Sequence, residues 1–136
     1  MQLLIHVDST YPVAAKVRSR IAGYLFFSDT PENPLQFKPK HNVDVHIKSQ
    51  FMKHVAASAP EAECGALFHN AQLLLPIKIT LEEFRHKHLT TPLITNNSTE
   101  ALFDNKEIKQ KCSKSWDMIY HWIRDKAEEK TFYVNW

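Results

Sequence analysis

The hydrophobic pattern near the start of the chain predicts two β-strands. Residues 3–7 form an apolar run that ends at Asp8. A short, continuous apolar run is typical of a strand that is buried on both faces. Residues 21–27 are rich in aromatic and branched side chains, which favour a second strand. The proline-rich segment 30–39 is predicted to be the loop that follows this strand.

A third strand is predicted at residues 42–48, where apolar and polar side chains alternate. Val43, Val45 and Ile47 occupy one set of positions, and polar side chains occupy the other set. Successive side chains of a strand point to opposite faces, so this pattern predicts a half-buried antiparallel strand.

A helix is predicted to begin at Ser58, because Ser58 and Glu61 form an S-x-x-E capping box. Its apolar stripe, at 100° per residue, also includes Glu63. A carboxylate on a core-facing stripe is costly unless it has a role, which makes Glu63 a candidate site residue. The other positions of the stripe are Ala59, Ala62, Ala66, Leu67, Asn70, Leu73 and Leu74.

The second half of the chain contains two further strands and more helices. Pro76 is predicted to begin a separate helical stretch that extends to about residue 88. The remaining elements are a short strand at 92–95, a short helix at 98–103, an amphipathic helix at about 113–130 and a final strand at 132–136. The predicted order is three strands, helices, a strand, helices and a strand.

Composition narrows the class of protein. We expect a single domain over residues 1–136, which is long enough to bury a core without metal or disulfide bonds. The two cysteines form no CxxC motif, so we expect an intracellular protein, cytoplasmic or nuclear and not secreted. The chain has only two glycines, which is too few for a glycine-rich phosphate loop. Its net charge is only +2, so any nucleic-acid site must be a local basic patch.

Five segments, in the same order along the chain, carry a resemblance to a known family. RSRIAGYLFF resembles the second strand of the ribonuclease H domain of copia-type retrotransposon polyproteins, and HVAASAPEAECGALFHNA resembles the family's "SSAEAE" helix start. TNNSTEAL is similar to the family's "T/C-D-N-x-S" segment. SKSWDMIYHWIRD and the final strand are similar to the family's last helix and strand. The resemblance implies an α/β fold, ribonuclease H-like, with a mixed five-stranded sheet, the first strand in its interior and helices packed on it.

The resemblance also implies a two-magnesium nuclease whose metals are held by four carboxylates. Matched by position, Asp8 fills the first carboxylate site and Glu63 the second, so both are candidate catalytic residues and metal ligands. The third falls at Asn96, a neutral amide at the family's aspartate position. The fourth lies beyond the final strand, so the catalytic segment at the carboxyl terminus is expected to be missing and full activity to require an acid beyond Trp136. Mg²⁺ binding is therefore expected to be weak or absent.

Ordinary structural roles would also explain the two acids. Asp8 could cap the turn after the first strand, and without the resemblance that interpretation would be favoured. Glu63 could extend its carboxylate to solvent or pair with a lysine, although its place on the apolar stripe favours a site residue.

Two functions are open at this point. The first is a ribonuclease H of a reverse transcriptase polyprotein that cleaves the RNA of an RNA–DNA hybrid, with impaired activity in this chain. The second is a non-catalytic remnant that binds nucleic acid or other domains of the polyprotein. For either function Arg18, Arg20 and Lys114 are the candidate substrate-binding residues, because phosphate contacts require local positive charge.

Overall fold

A computed structural model of the chain describes residues 2–11, 18–29, 42–53, 55–56, 58–86, 90–95 and 114–135. The predicted loop at 30–39 and the predicted helix at 98–103 lie outside these residues. No helix within the described ranges is long and apolar enough to cross a membrane. The elements, in chain order, are β1 (Gln2–Thr10), β2 (Arg20–Ser28), β3 (Val43–Phe51), α1 (Ala59–Glu83), β4 (Thr91–Thr95), α2 (Lys114–Glu128) and β5 (Phe132–Asn135).

The five strands form one mixed sheet in the order β3-β2-β1-β4-β5. The β2 strand pairs antiparallel with both β1 and β3, whereas β4 pairs parallel with both β1 and β5. The β1 strand therefore lies in the interior of the sheet, as its continuous apolar run predicts. The predicted fold class, a mixed five-stranded sheet with helices packed on it, is confirmed.

Alternation along β1 separates the two faces of the sheet. Leu3, Ile5 and Val7 belong to the core that the sheet forms with α1 and α2. Leu4 projects to the other face, where it pairs with Phe26, and both side chains are fully buried. Because the first half of β1 is buried on both faces, its apolar side chains stabilise the fold from two directions.

A close contact between Asn70 and β2 fixes the position of α1 on the sheet. The side-chain amide of Asn70 donates to the carbonyl of Ala22 at 3.1 Å and to the carbonyl of Ala66 at 2.9 Å. Gly23 permits this approach, because a β-carbon at position 23 would lie 1.8 Å from Asn70 Oδ1. The predicted N-cap is also present, since Ser58 Oγ accepts from the amide of Glu61 at 3.4 Å.

The prediction that Pro76 begins a separate helix is wrong. One helix extends from Ala59 to Glu83 with Pro76 inside it, and it ends before residue 88. Proline removes one intrahelical hydrogen bond, here to the carbonyl of Gln72. Gln72 and Pro76 are both exposed, so water can hydrate that carbonyl on the solvent side of the helix.

The third strand is present and antiparallel, as predicted, but the prediction that it is half-buried is wrong. The register shifts at Leu25/Phe26, so that Val43 pairs with Phe27 while Ile47 pairs with Tyr24, on opposite faces of β2. Such a shift places an extra residue in one strand and breaks the alternation of its side chains. Val43, Val45 and Ile47 are all exposed on this edge strand.

At the other end of the sheet, a buried lysine connects α1 to the turn before β5. Lys78 is 8% exposed, and its Nζ donates to the carbonyl of Thr131 at 2.6 Å. Burial lowers the pKa of Lys78 below its ordinary 10.5, and the nearby Glu82 carboxylate partly offsets that effect.

The lowered pKa of Lys78 predicts a pH-dependent contribution to stability. The folded chain holds the neutral amine more readily than the unfolded chain does, so stability rises with pH up to about the unfolded value of 10.5. In urea titrations at a series of alkaline pH values, the free energy of unfolding of the wild type should increase relative to that of Lys78→Met. A difference between the two proteins that stays constant with pH would contradict this prediction.

Candidate functional site

The carboxyl ends of β1 and β4 lie side by side at one end of the sheet. The two strands are parallel, and Val7 pairs with Thr95, the last residue of β4. Asp8 is exposed directly after Val7, and its Oδ1 accepts from the amide of Ser9 at 2.9 Å. Asp8 lies inside β1, which continues to Thr10, so this bond is local to the strand and the alternative role of Asp8 as a turn cap is not seen. Asn96 follows Thr95 in the sequence and lies outside the described residues.

Glu63 lies toward the same end of the sheet, on α1. It is only 6% exposed, as its place on the apolar stripe predicts. Asn70 holds α1 against Ala22, which pairs with Asp8. Lys78, nearer the carboxyl end of α1, contacts Thr131 at the opposite end of the sheet. Glu63 precedes Asn70 by two helical turns, about 10 Å along the axis, and so lies toward the carboxyl end of β1, which we call the Asp8 end. Successive side chains of β1 point to opposite faces of the sheet, and Val7 faces α1, so Asp8 lies on the other face. Asp8 and Glu63 therefore approach this end of the sheet from different faces.

Two of the three predicted substrate-binding residues are also at the Asp8 end. Arg18 and Arg20 are exposed and flank Ser19, which is buried. The carbonyl of Ser19 accepts from the amide of Met52 at 2.7 Å, which holds this segment against the end of β3. Lys114 is the first residue of α2, and its side chain is outside the described part of the structure.

A solved structure shares this architecture over nearly the whole chain. It is the crystal structure of LC11-RNase H1 in complex with RNA/DNA hybrid, with a TM-score of 0.59 and 12% sequence identity. The match covers 98% of this chain and 85% of that one. The chain has the ribonuclease H fold. At this identity the similarity establishes the fold of the chain alone. No family model and no curated protein matches the sequence.

Asp8 and Glu63 are the two carboxylates that the resemblance assigns to a metal site, and this donor set is small. Magnesium prefers carboxylate oxygens, and two ions held close together require several of them. Asp8 and Glu63 supply two carboxylates, and the neutral Asn96 adds no charge. Among the described residues, no group of three histidine, cysteine, aspartate or glutamate side chains could hold a metal ion. The described side chains therefore do not fit a two-ion centre.

Two residues at this end of the ribonuclease H sheet were missed by the sequence analysis. Phe51 is the last residue of β3 and pairs with Arg20, whose guanidinium carbon lies 4.6 Å from the centre of the Phe51 ring. Lys53 follows two residues later and is exposed. The sequence showed the apolar residue but not its cross-strand partner, because the pairing depends on the register of two distant strands.

Proposed function

We propose that this ribonuclease H-like domain binds RNA–DNA hybrid at the Asp8 end of its sheet and that its cleavage of the RNA strand is impaired. The proposal assigns the domain to the reverse transcriptase and ribonuclease H region of a copia-type retrotransposon polyprotein. The observation that supports binding most strongly is the fold, which is shared with a protein crystallised in complex with RNA/DNA hybrid.

The distribution of charge at the Asp8 end supports a nucleic-acid partner. Arg18, Arg20 and Lys53 are exposed there. Arg20 pairs with Phe51, and the bond from the amide of Met52 to the carbonyl of Ser19 joins the two segments that carry Arg18 and Lys53. Lysine and arginine side chains bind the phosphates of a nucleic acid and release its counterions, so binding weakens steeply with salt. The chain as a whole has a net charge of only +2, which attracts nucleic acid weakly. In this proposal the local patch of three cations provides the attraction for the phosphates.

The proposed role of magnesium follows from the same residues. The carboxylates that would hold an ion are Asp8 and Glu63, although they reach this end of the sheet from different faces. A bound ion would supply charge stabilisation for cleavage of the RNA strand. Asn96 offers a carbonyl oxygen where the family has an anion, so we propose weak or absent Mg²⁺ binding and impaired cleavage. The same substitution favours the second function, a non-catalytic remnant that binds nucleic acid or other domains of the polyprotein.

Hybrid binding can be measured by fluorescence anisotropy with a blunt RNA–DNA hybrid. We expect affinity to fall steeply with salt, and Arg18→Ala or Arg20→Ala to weaken binding. Each substitution should also reduce the slope of log affinity against log salt by about 1, because one phosphate of the hybrid then keeps its counterion. Arg124→Ala is the matched control, because Arg124 is an exposed arginine of α2 that forms salt bridges with Asp125 and Glu128.

Two results would count against the proposed function. One is the absence of hybrid binding at low salt. The other is an equal loss of affinity in Arg18→Ala, Arg20→Ala and Arg124→Ala, which would indicate general charge attraction instead of a site at the Asp8 end. Affinity for the hybrid without cleavage would favour the non-catalytic function.

A further inference from the structure

A surface that is both basic and aromatic adjoins Asp8 on the edge of the sheet. Its centre is the Arg20 guanidinium, which lies over the ring of Phe51. Arg18 precedes Arg20 by two residues, Lys53 follows Phe51 by two residues, and both are exposed. We call these four residues the Arg20–Phe51 platform. Phe51 is 54% exposed, although an aromatic ring is usually shielded from water.

The register places Arg20 and Phe51, the centre of the platform, on the same face as Asp8. Thr10 pairs with Arg20, and Arg20 pairs with Phe51, so these residues form a row across three strands. Asp8 pairs with Ala22, which makes Arg20 its diagonal neighbour, a relation that corresponds to about 7–8 Å between α-carbons. A strand of nucleic acid that passes Asp8 would therefore meet the platform next.

The cations of the platform are available to a ligand. Within the part of the chain that the structure describes, Arg18, Arg20 and Lys53 form no salt bridge with an acidic side chain. A guanidinium on an aromatic ring is attracted to its π-face, and its N–H groups can still donate to a phosphate. The platform thus combines an apolar face for a flat group with donors for an anion.

We propose that the Arg20–Phe51 platform binds an unpaired nucleotide at the end of a hybrid duplex, with its base against Phe51 and its phosphates on Arg18, Arg20 and Lys53. This inference rests on the proposed function and specifies its substrate as a hybrid that carries a single-stranded tail. In a duplex, neighbouring base pairs cover both faces of each base, so only a terminal or unpaired base can stack on a protein ring. Aromatic rings next to a positively charged groove bind single strands in this way.

The test compares a short blunt hybrid with the same hybrid carrying a single-stranded tail, each at low salt by fluorescence anisotropy. The wild type should bind the tailed hybrid at least roughly fivefold more tightly, because stacking of one base contributes that much. Phe51→Leu should remove this difference, and Phe51→Tyr should preserve it. Tyr133→Leu is the matched control, since Tyr133 is an exposed aromatic residue of β5 at the opposite edge.

A fluorescent adenine analogue in the tail gives a second, direct measurement. Its emission should change on binding to the wild type and to Phe51→Tyr, and should not change on binding to Phe51→Leu. Arg20→Lys retains the charge but loses the planar group, so its preference for the tail should be intermediate. Thermal unfolding of each variant separates a loss of stacking from a loss of fold.

The outcomes distinguish this inference from the proposed function. If blunt and tailed hybrids bind equally well and Phe51→Leu changes neither affinity, the platform inference is wrong and hybrid binding stands. If neither ligand binds, both are wrong. If the preference for a tail is lost equally in Phe51→Leu and Tyr133→Leu, the assignment to this platform is wrong.

Discussion

The unmodified chain should leave an RNA–DNA hybrid essentially uncut in magnesium or manganese, and Asn96→Asp should increase its affinity for these ions. Loss of one interaction that acts in the transition state commonly lowers the rate by roughly 10²- to 10³-fold. Here the missing group is an anion at the position where the resemblance to the copia-type family places a metal ligand. We expect Asn96→Asp to tighten Mg²⁺ binding by at least roughly tenfold, measured by calorimetry.

The physical reason for this expectation is the charge at the end of the parallel strands. Thr95 is the last residue of β4 and pairs with Val7, and Asp8 follows Val7 within β1. Position 96 follows Thr95 in the sequence, so we expect an aspartate there to add its negative charge on the side of Asp8. A divalent ion is held by the sum of the charges around it, so the added carboxylate raises affinity.

A matched control is available one residue further along. Asn97→Asp adds the same charge to the same segment, but at a position where the resemblance places no metal ligand. The metal affinity of Asn97→Asp should therefore stay close to that of the unmodified chain. Robust cleavage by the unmodified chain would overturn the prediction, and so would an equal gain in affinity for both variants.

The second large effect is a loss of stability, expected when the contact between α1 and the sheet at Gly23 is disturbed. Gly23→Ala would place a β-carbon 1.8 Å from Oδ1 and 2.7 Å from Cγ of Asn70, which no real contact allows. Asn70 is 2% exposed, so it must move and lose its bonds to the carbonyls of Ala22 and Ala66. Overpacking and the unsatisfied buried amide together should cost about 2 to 4 kcal/mol in the free energy of unfolding.

A double-mutant cycle isolates this contact from other effects of the substitution. Asn70→Ala alone should be destabilising through the loss of its hydrogen bonds. The double variant Gly23→Ala/Asn70→Ala has no side-chain amide to clash with, so it should be more stable than the sum of the single effects predicts. Urea titration of the four proteins measures the coupling. Strictly additive effects would show that the contact with Asn70 does not explain the need for glycine at position 23.

Much of the architecture follows from local patterns in the sequence. The continuous apolar run before Asp8 placed β1 correctly in the sheet interior, because only a strand covered on both faces needs apolar side chains at successive positions. The capping box at Ser58 located the start of α1, and the apolar stripe correctly predicted that Glu63 is buried. These features depend on residues within one element.

The features that sequence analysis missed depend on distant residues or on solvent. Pro76 remains within α1 because it lies on the exposed side, and the local sequence does not reveal that side. The register shift at Leu25/Phe26 and the contact of Arg20 with Phe51 arise only when β2 and β3 pair. The roles of Asp8 and Glu63 in metal binding remain predictions from the resemblance.

The most direct test of the site is a map of backbone amide shifts by nuclear magnetic resonance during titration with an RNA–DNA hybrid. We expect the largest changes at Asp8, at Arg18 and Arg20, and at Phe51 and Lys53, all at one end of the sheet. Lys78 and Thr131, at the opposite end, should change little. Shifts concentrated around Lys78 and Thr131, or the absence of any shift at low salt, would contradict the proposal that this ribonuclease H-like domain binds nucleic acid at its Asp8 end.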